Sequence, residues 1–395
     1  MTITDYRNKS YGRNEEVKVI LRMFQADRDI AMPGPRRLGK TFILERLVEF
    51  LPSQGWQAIK VEIAGLSDQK AVFRELCSKI SHQRSISKKS VAWIAQRMGQ
   101  ALAPRTDSGG QWYQSFLTLD HETYFERLVS ALNDDKKQRW ALLVDELPIF
   151  LKALHDKGPD GLAAALNFMN LISRLRVNYP KVRWLITGSI GLEPLAQIGK
   201  YLGVLAKFDK FDVEPLTHEQ AKDFVQDQAQ RGALIHRTRV SSAEADALVQ
   251  AVGWRAAYYL DAVAQKLTGE PTDDPALARE AVELAIGKLI QAGEARTFGV
   301  WEEHLHKHYP DAERAIAIVV INKLVKTPRG MVADTLLAGI NQSSLTRDAL
   351  VRILMRMHTE GFVVCDNWQD DTQLITIRNP LLRRWWQIRP PQMTL

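Results

Sequence analysis

Cysteine is nearly absent: Cys77 and Cys365 are the only two in 395 residues. That excludes a disulfide framework and a cysteine-built zinc site, and it fits a reducing compartment. Long apolar runs are missing too. The longest, residues 315–321, is far too short to cross a bilayer, and the opening M-T-I-T-D-Y-R-N-K-S lacks the apolar core of an export signal. A cytoplasmic protein without a membrane partner is the expectation. Neither sign of charge dominates, since a formal net charge of +7 over this length permits phosphate-bearing partners without demanding them. There is one local shortage. No acid occurs between residues 76 and 106, where Lys79, Arg84, Lys88, Lys89, Arg97 and Arg105 accumulate. This stretch reads either as a contact for nucleic acid or a membrane surface or as a solvated helical insertion, and Val91, Ile94 and Met98 near helical spacing favour the insertion. With 45% hydrophobic residues and neither repeats nor low-complexity tracts, the chain can bury cores for two or three domains.

Among the features that are present, the run G-P-R-R-L-G-K-T at 34–41 is the most informative. Its two glycines, lysine and hydroxyl at these places would arise by chance roughly once in a hundred chains of this length. Gly34 and Gly39 let main-chain N–H groups turn inward around an anion. Lys40 brings positive charge to the β and γ phosphates, and Thr41 offers a hydroxyl to magnesium. Pro35, Arg36, Arg37, Leu38 and Phe42 complete the segment expected around a nucleotide, so ATP and Mg2+ are the expected ligands. D-I-A-M at 29–32 predicts a short buried strand before the loop. Residues 40–51 predict a helix with Ile43, Leu44, Leu47, Val48 and Leu51 on one face, closed by Pro52. Its N-terminus then faces the anion.

W-A-L-L-V at 140–144 predicts an apolar strand that ends in Asp145-Glu146. An acid at a strand end can hold magnesium and a second beside it can polarise the attacking water, so Asp145 is assigned to the metal and Glu146 to the water. A second strand is expected near 57–63. V-R-W-L-I at 182–186 predicts another, ending in Thr187-Gly188-Ser189. Thr187 or Ser189 either senses the γ phosphate or caps the following helix.

Beyond residue 216 the pattern turns helical. T-H-E-Q at 217–220 and S-S-A-E at 241–244 are capping boxes, each opening an amphipathic helix, and the second helix ends at Gly253. G-E-P-T-D-D-P at 269–275 breaks the pattern before one further helix over 275–292. Residues 311–378 read as a helix, a short helix, a longer helix capped by Ser343-Ser344, and two strands around N-W-Q-D-D-T, which is the order of a winged helix-turn-helix. On the longer helix Leu350, Ile353, Leu354 and Met357 form the buried face. Arg347, Arg352 and Arg356 then point outward, toward DNA phosphates or guanine edges, whereas Asp348, Glu360, Asp366, Asp370 and Asp371 nearby suit a protein partner. N-P-L-L-R-R-W-W at 379–386 starts a last helix, whose Trp385 and Trp386 are expected to pack on the preceding elements.

Taken together, the loop, V-D-E-L at 144–147, L-I-T-G-S-I-G-L at 185–192 and Y-G-R-N-E-E at 11–16 resemble the archaeal-type ATPases of the STAND class, relatives of AAA+ and origin-recognition ATPases. The resemblance implies an α/β chain: a three-layer αβα P-loop NTPase core with a parallel sheet (residues 1–216), a helical lid (217–268), a helical linker (269–310) and a C-terminal winged helix-turn-helix (311–395). It implies ATP and magnesium between core and lid, and it places Gly12, Arg13 and Glu15 near the adenine, although Asn14 stands where an acid is usual. Where AAA+ relatives carry an arginine finger, residues 198–215 hold only Lys200, Lys207 and Lys210. Lysine is the less directional donor, which implies slow hydrolysis. Gly253 lacks the proline that often follows it in the family, and Arg255 is either a phosphate sensor or a surface arginine. Three functions fit: a regulatory ATPase switch acting on a protein partner or effector, with a nucleotide-dependent oligomer among its possible forms; a DNA-associated ATPase using Arg352 and Arg356; and a non-hydrolysing nucleotide-binding scaffold.

Overall fold

A computed structural model describes residues 13–81, 121–291, 295–340, 345–368, 370 and 372–388. They group into two compact units. A sheet unit comprises Glu15–Pro33 and Lys40–Asp212, and a helical unit comprises residues 13–14, Gly34–Gly39 and 213–388. Most of the acid-free stretch, from residue 82 on, lies outside the described residues.

The sheet unit is built on five parallel strands, β1 (Ile30–Pro33), β2 (Trp56–Glu62), β3 (Arg139–Asp145), β4 (Val182–Gly188) and β5 (Asp209–Lys210), in the spatial order β2-β3-β4-β1-β5. A parallel strand covered on both faces needs a continuous apolar run. β3 is buried at every residue but Arg139, and β4 is buried throughout. Helices Lys40–Phe50, Gln69–Ser81, His121–Asn133, Leu147–His155 and Pro159–Asn178 accompany the strands, giving a three-layer α/β core of the P-loop NTPase type. Edge-on rings fill it, with Phe125 against Trp184 at 6.3 Å and Phe150 against Phe168 at 5.2 Å.

Two details depart from the sequence reading. The helix after the loop buries Ile43, Leu44 and Leu47 but leaves Val48 half-buried, and it stops at Phe50 in a 3-10 turn over Leu51–Gln54 with Pro52 as its second residue. Asp29 precedes β1 and serves as an anchor: it accepts from Trp184 N at 2.7 Å and from Arg176 Nε at 2.6 Å. Beside it, the buried Arg183 donates to the carbonyls of Asp27 and Pro180. Pairing of Met32 with Thr187 and of Val144 with Ile186 brings the carboxyl ends of β1, β3 and β4 to one edge of the sheet. In open α/β sheets that edge is where ligands bind.

In the helical unit both capping boxes form: Thr217 accepts from Gln220 N and Ser241 from Glu244 N, opening His218–Gln230 and Ser242–Val252. Ala257–Ala264 follows, then Pro275–Ile290, capped by Asp274. Helix Ala295–His308 lies in the stretch expected to be a helical linker, where the sequence reading named only the helix over 275–292. Its buried Phe298, Trp301 and Leu305 recur at i, i+3 and i+7, one face of a helix. Helices Asp311–Lys326, Ala333–Ala338 and Arg347–Glu360 precede an antiparallel pair, β6 (Val363–Val364) and β7 (Thr376–Ile377), and Pro380–Ile388 is the last described helix. Ser343 and Ser344 lie outside the described residues; the cap of Arg347–Glu360 is Thr346, which accepts from Ala349 N at 3.2 Å. Trp385 stacks on Phe298 at 5.8 Å and Trp386 donates to Asn322 at 2.8 Å, so both tryptophans are packed inward. No described helix is long and apolar enough to cross a membrane.

Candidate functional site

In the sheet unit β3 carries Asp145 and Glu146 to the carboxyl edge. Asp145 is almost wholly buried. One of its oxygens accepts from Thr41 Oγ1 at 2.9 Å and the other accepts from the Thr187 hydroxyl. Lys60 on β2 places Nζ 4.0 Å from the same carboxylate and 3.4 Å from Glu45. A hydroxyl and a carboxylate side by side are hard oxygens of the kind magnesium takes, usually with phosphate oxygens completing the shell. Lys40, the first residue of its helix, is 6% exposed.

Glu146 has φ 59°, the left-handed region that costs a non-glycine residue energy and is concentrated at functional sites. Its N–H donates to Thr187 Oγ1 at 3.3 Å, and its Oε2 accepts from both Ser189 N and Ser189 Oγ at 2.9 Å. Between these two partners Gly188 admits no side chain, because a β carbon there would run into the Pro148 ring. The T-G-S sequence thus has three separate tasks: Thr187 holds Asp145, Gly188 makes room for the turn after Glu146, and Ser189 holds Glu146. Capping is not among them. Thr187 lies inside β4, and the next helix, Leu192–Ile198, starts after Gly191 with no side-chain cap.

The loop residues Gly34–Gly39 belong to the helical unit. Gly34, Arg37 and Gly39 have φ of 139°, 69° and 96°, and left-handed residues within such a loop turn main-chain N–H groups to a common side as an anion nest. Arg13 is buried, and its guanidinium donates to the carbonyls of Leu38 and Glu214 at 2.8 Å each. It supports the loop backbone from the segment that the family resemblance places near a base. Gly12 lies outside the described residues. Arg37 stacks over the Tyr258 ring, 3.7 Å from its centroid, and Arg36 meets His308 Nε2 at 3.3 Å. Leu38 is buried, and Pro35 and Phe42 are half-buried. Arg255 is tied to Leu216 in both directions, through Nε to its carbonyl at 2.7 Å and through the backbone in return at 3.0 Å.

The outward placement of Arg356 is corrected. Its guanidinium reaches Glu360 at 3.0 Å, Glu313 at 2.9 Å and the carbonyl of His308, and it lies over the Tyr309 ring at 3.9 Å. Residue 356 borders the buried stripe, and Glu313 of helix Asp311–Lys326 together with Tyr309 just before that helix draws it in. Arg347 pairs with Asp334 at 2.8 Å on the surface, and Arg352 is exposed. Burial disfavours ionisation of Glu360, but its bond to His304 at 2.7 Å and the adjacent Arg356 outweigh that and hold the carboxyl down to about 2. Tyr258, His308 and Lys60 went unnoticed in the sequence. Each meets its partner across a long sequence separation, and no local pattern marks them.

The chain is similar in fold to a Walker-type ATPase of Pyrococcus abyssi, with a TM-score of 0.62 and 14% identity over 95% of this chain and 96% of that one. It is also similar to the ORC2 protein of Aeropyrum pernix in its ADPNP-ADP complexes, with a TM-score of 0.53 and 12% identity over 95% and 92% of the two chains. No protein-family model matches the chain, and no curated protein matches it. At these identities the likeness is one of fold, that of the P-loop ATPases.

Proposed function

We propose that this chain is an ATP-binding switch that hydrolyses ATP slowly and passes its nucleotide state, through a C-terminal winged helix, to a protein partner. The observation that carries this reading is the Thr41–Asp145–Thr187 arrangement at the carboxyl edge of the sheet, at the end of a complete G-P-R-R-L-G-K-T loop. The residues fit the ligands: paired hard oxygens suit the cation, and a buried ammonium with left-handed loop residues suits the phosphates. When bound, ATP supplies the phosphoryl group and Mg2+ neutralises its oxygens. Lys40 and the loop N–H groups would hold the phosphates, and Thr41 with Asp145 the cation. Thr187 positions Asp145. Glu146 polarises the attacking water, but its carboxylate first has to leave two hydrogen bonds from Ser189. That restraint, with lysines alone in residues 198–215, supports slow turnover.

The STAND resemblance associates such switches with signalling, regulation or defence, and we adopt that class for the output. The geometry disfavours duplex binding by helix Arg347–Glu360, since Arg356 is engaged with two acids and Arg347 with one. Calorimetry with ATP and Mg2+ tests the reading. Wild type binds, Lys40→Ala does not, and Glu146→Gln binds with reduced phosphate release. Normal ATP binding by Lys40→Ala would refute it.

A further inference from the structure

The anion nest has an unusual occupant. Arg37 takes the left-handed conformation at φ 69°, which glycine adopts freely and an arginine resists. Something must hold it there. Its guanidinium lies 3.7 Å from the centroid of Tyr258, at the start of helix Ala257–Ala264, within ordinary reach of a cation–π contact. The ring is itself fixed: Tyr258 stands edge-on to Tyr259 at 5.2 Å, and Tyr259 is fully buried and accepts from Trp301 Nε1 at 2.7 Å. Neighbouring loop residues are held as well. Leu38 is bonded by Arg13, and Pro35 lies so close to Gly361 that a β carbon there would come within 2.6 Å. The strain at Arg37 and the attraction of the ring are of similar size, so the contact is enough to decide the conformation.

We infer that Tyr258 is a positioning residue of the phosphate loop, its ring holding Arg37 in the left-handed conformation that turns the loop N–H groups toward a nucleotide's phosphates. This rests on the reading of residues 34–41 as a phosphate loop. Tyr258 touches no phosphate in this role; it acts only through Arg37.

The test is a double-mutant cycle on the full chain, read by calorimetry with ATP and Mg2+ and by melting temperature. Tyr258→Leu, which keeps apolar bulk on Tyr259 but loses the aromatic face, is expected to weaken ATP binding roughly fivefold. Tyr258→Phe restores it. In an Arg37→Gly background, where the left-handed conformation is free, Tyr258→Leu makes no further difference. Should Tyr258→Leu also lower the melting temperature, the cycle still decides, because both backgrounds carry the same packing defect. Wild-type affinity in Tyr258→Leu, an equal loss in both backgrounds, or failure of phenylalanine to restore binding overturns the inference. Absence of ATP binding by the wild type would instead overturn the phosphate-loop reading beneath it.

Discussion

Ser189→Ala is the most telling substitution at the site, because sensing and restraint predict opposite signs for it. In the described structure Ser189 gives Glu146 both its N–H and its hydroxyl, each at 2.9 Å to the same oxygen. A hydrogen bond to a charged group contributes roughly 1.5–3 kcal/mol net. Alanine removes only the hydroxyl, and water partly replaces it, so a relief of about 1–1.5 kcal/mol is the reasonable figure. That corresponds to roughly five- to tenfold more released carboxylate. If release precedes polarisation of the water, phosphate production at saturating ATP and Mg2+ should rise by up to that factor, with ATP affinity unchanged. Glu146→Gln sets the floor of the assay, and Ser189→Thr, which keeps a hydroxyl, should lie near wild type. A Ser189→Ala protein that turns over at or below the wild-type rate while binding ATP normally would refute the restraint and return Ser189 to γ-phosphate sensing.

Other outcomes follow from the same geometry. Asp145→Asn should weaken ATP binding in Mg2+ severalfold yet leave binding in excess EDTA nearly unchanged, as titrations with and without chelator would show. Gly188→Ala should lower the melting temperature by several degrees and reduce turnover, since a β carbon there displaces Pro148 and the turn carrying Glu146. Glu360 ionises more readily folded than unfolded, its carboxyl held at about 2 against an ordinary 4.5. The stability it confers is therefore complete above 4.5 and lost as pH falls toward 2. Urea unfolding at pH 7 should find Glu360→Gln less stable by on the order of 3 kcal/mol, with the gap closing through that acid window; a gap independent of pH would contradict the assignment.

What could be read from the chain alone was what repeats locally or is fixed by a short pattern. The loop at 34–41, the strand that runs into Asp145-Glu146, and both capping boxes each depend on residues a few places apart, where periodicity and hydrogen-bond chemistry act directly. Helix Ala295–His308 carries Phe298, Trp301 and Leu305 at helical spacing, so its existence was legible; what the chain could not show is the cluster they join, assembled from distant segments including Tyr259 and Trp385. Arg356 was misplaced for a related reason. Its position borders the apolar stripe, and only the packing of Glu313 and Tyr309 against it turns the guanidinium inward.

The sequence by itself determined the glycine-, lysine- and threonine-bearing loop and the acid pair that ends an apolar strand, because each is a short local pattern. Tertiary structure alone decided what holds each of them. Thr187 and Ser189 reach the acids from a neighbouring strand, and Arg13 and Tyr258 reach the loop from residues far along the chain. Such contacts follow from which surfaces meet once the chain has closed on itself, and long-range meeting leaves no periodic trace in the order of residues.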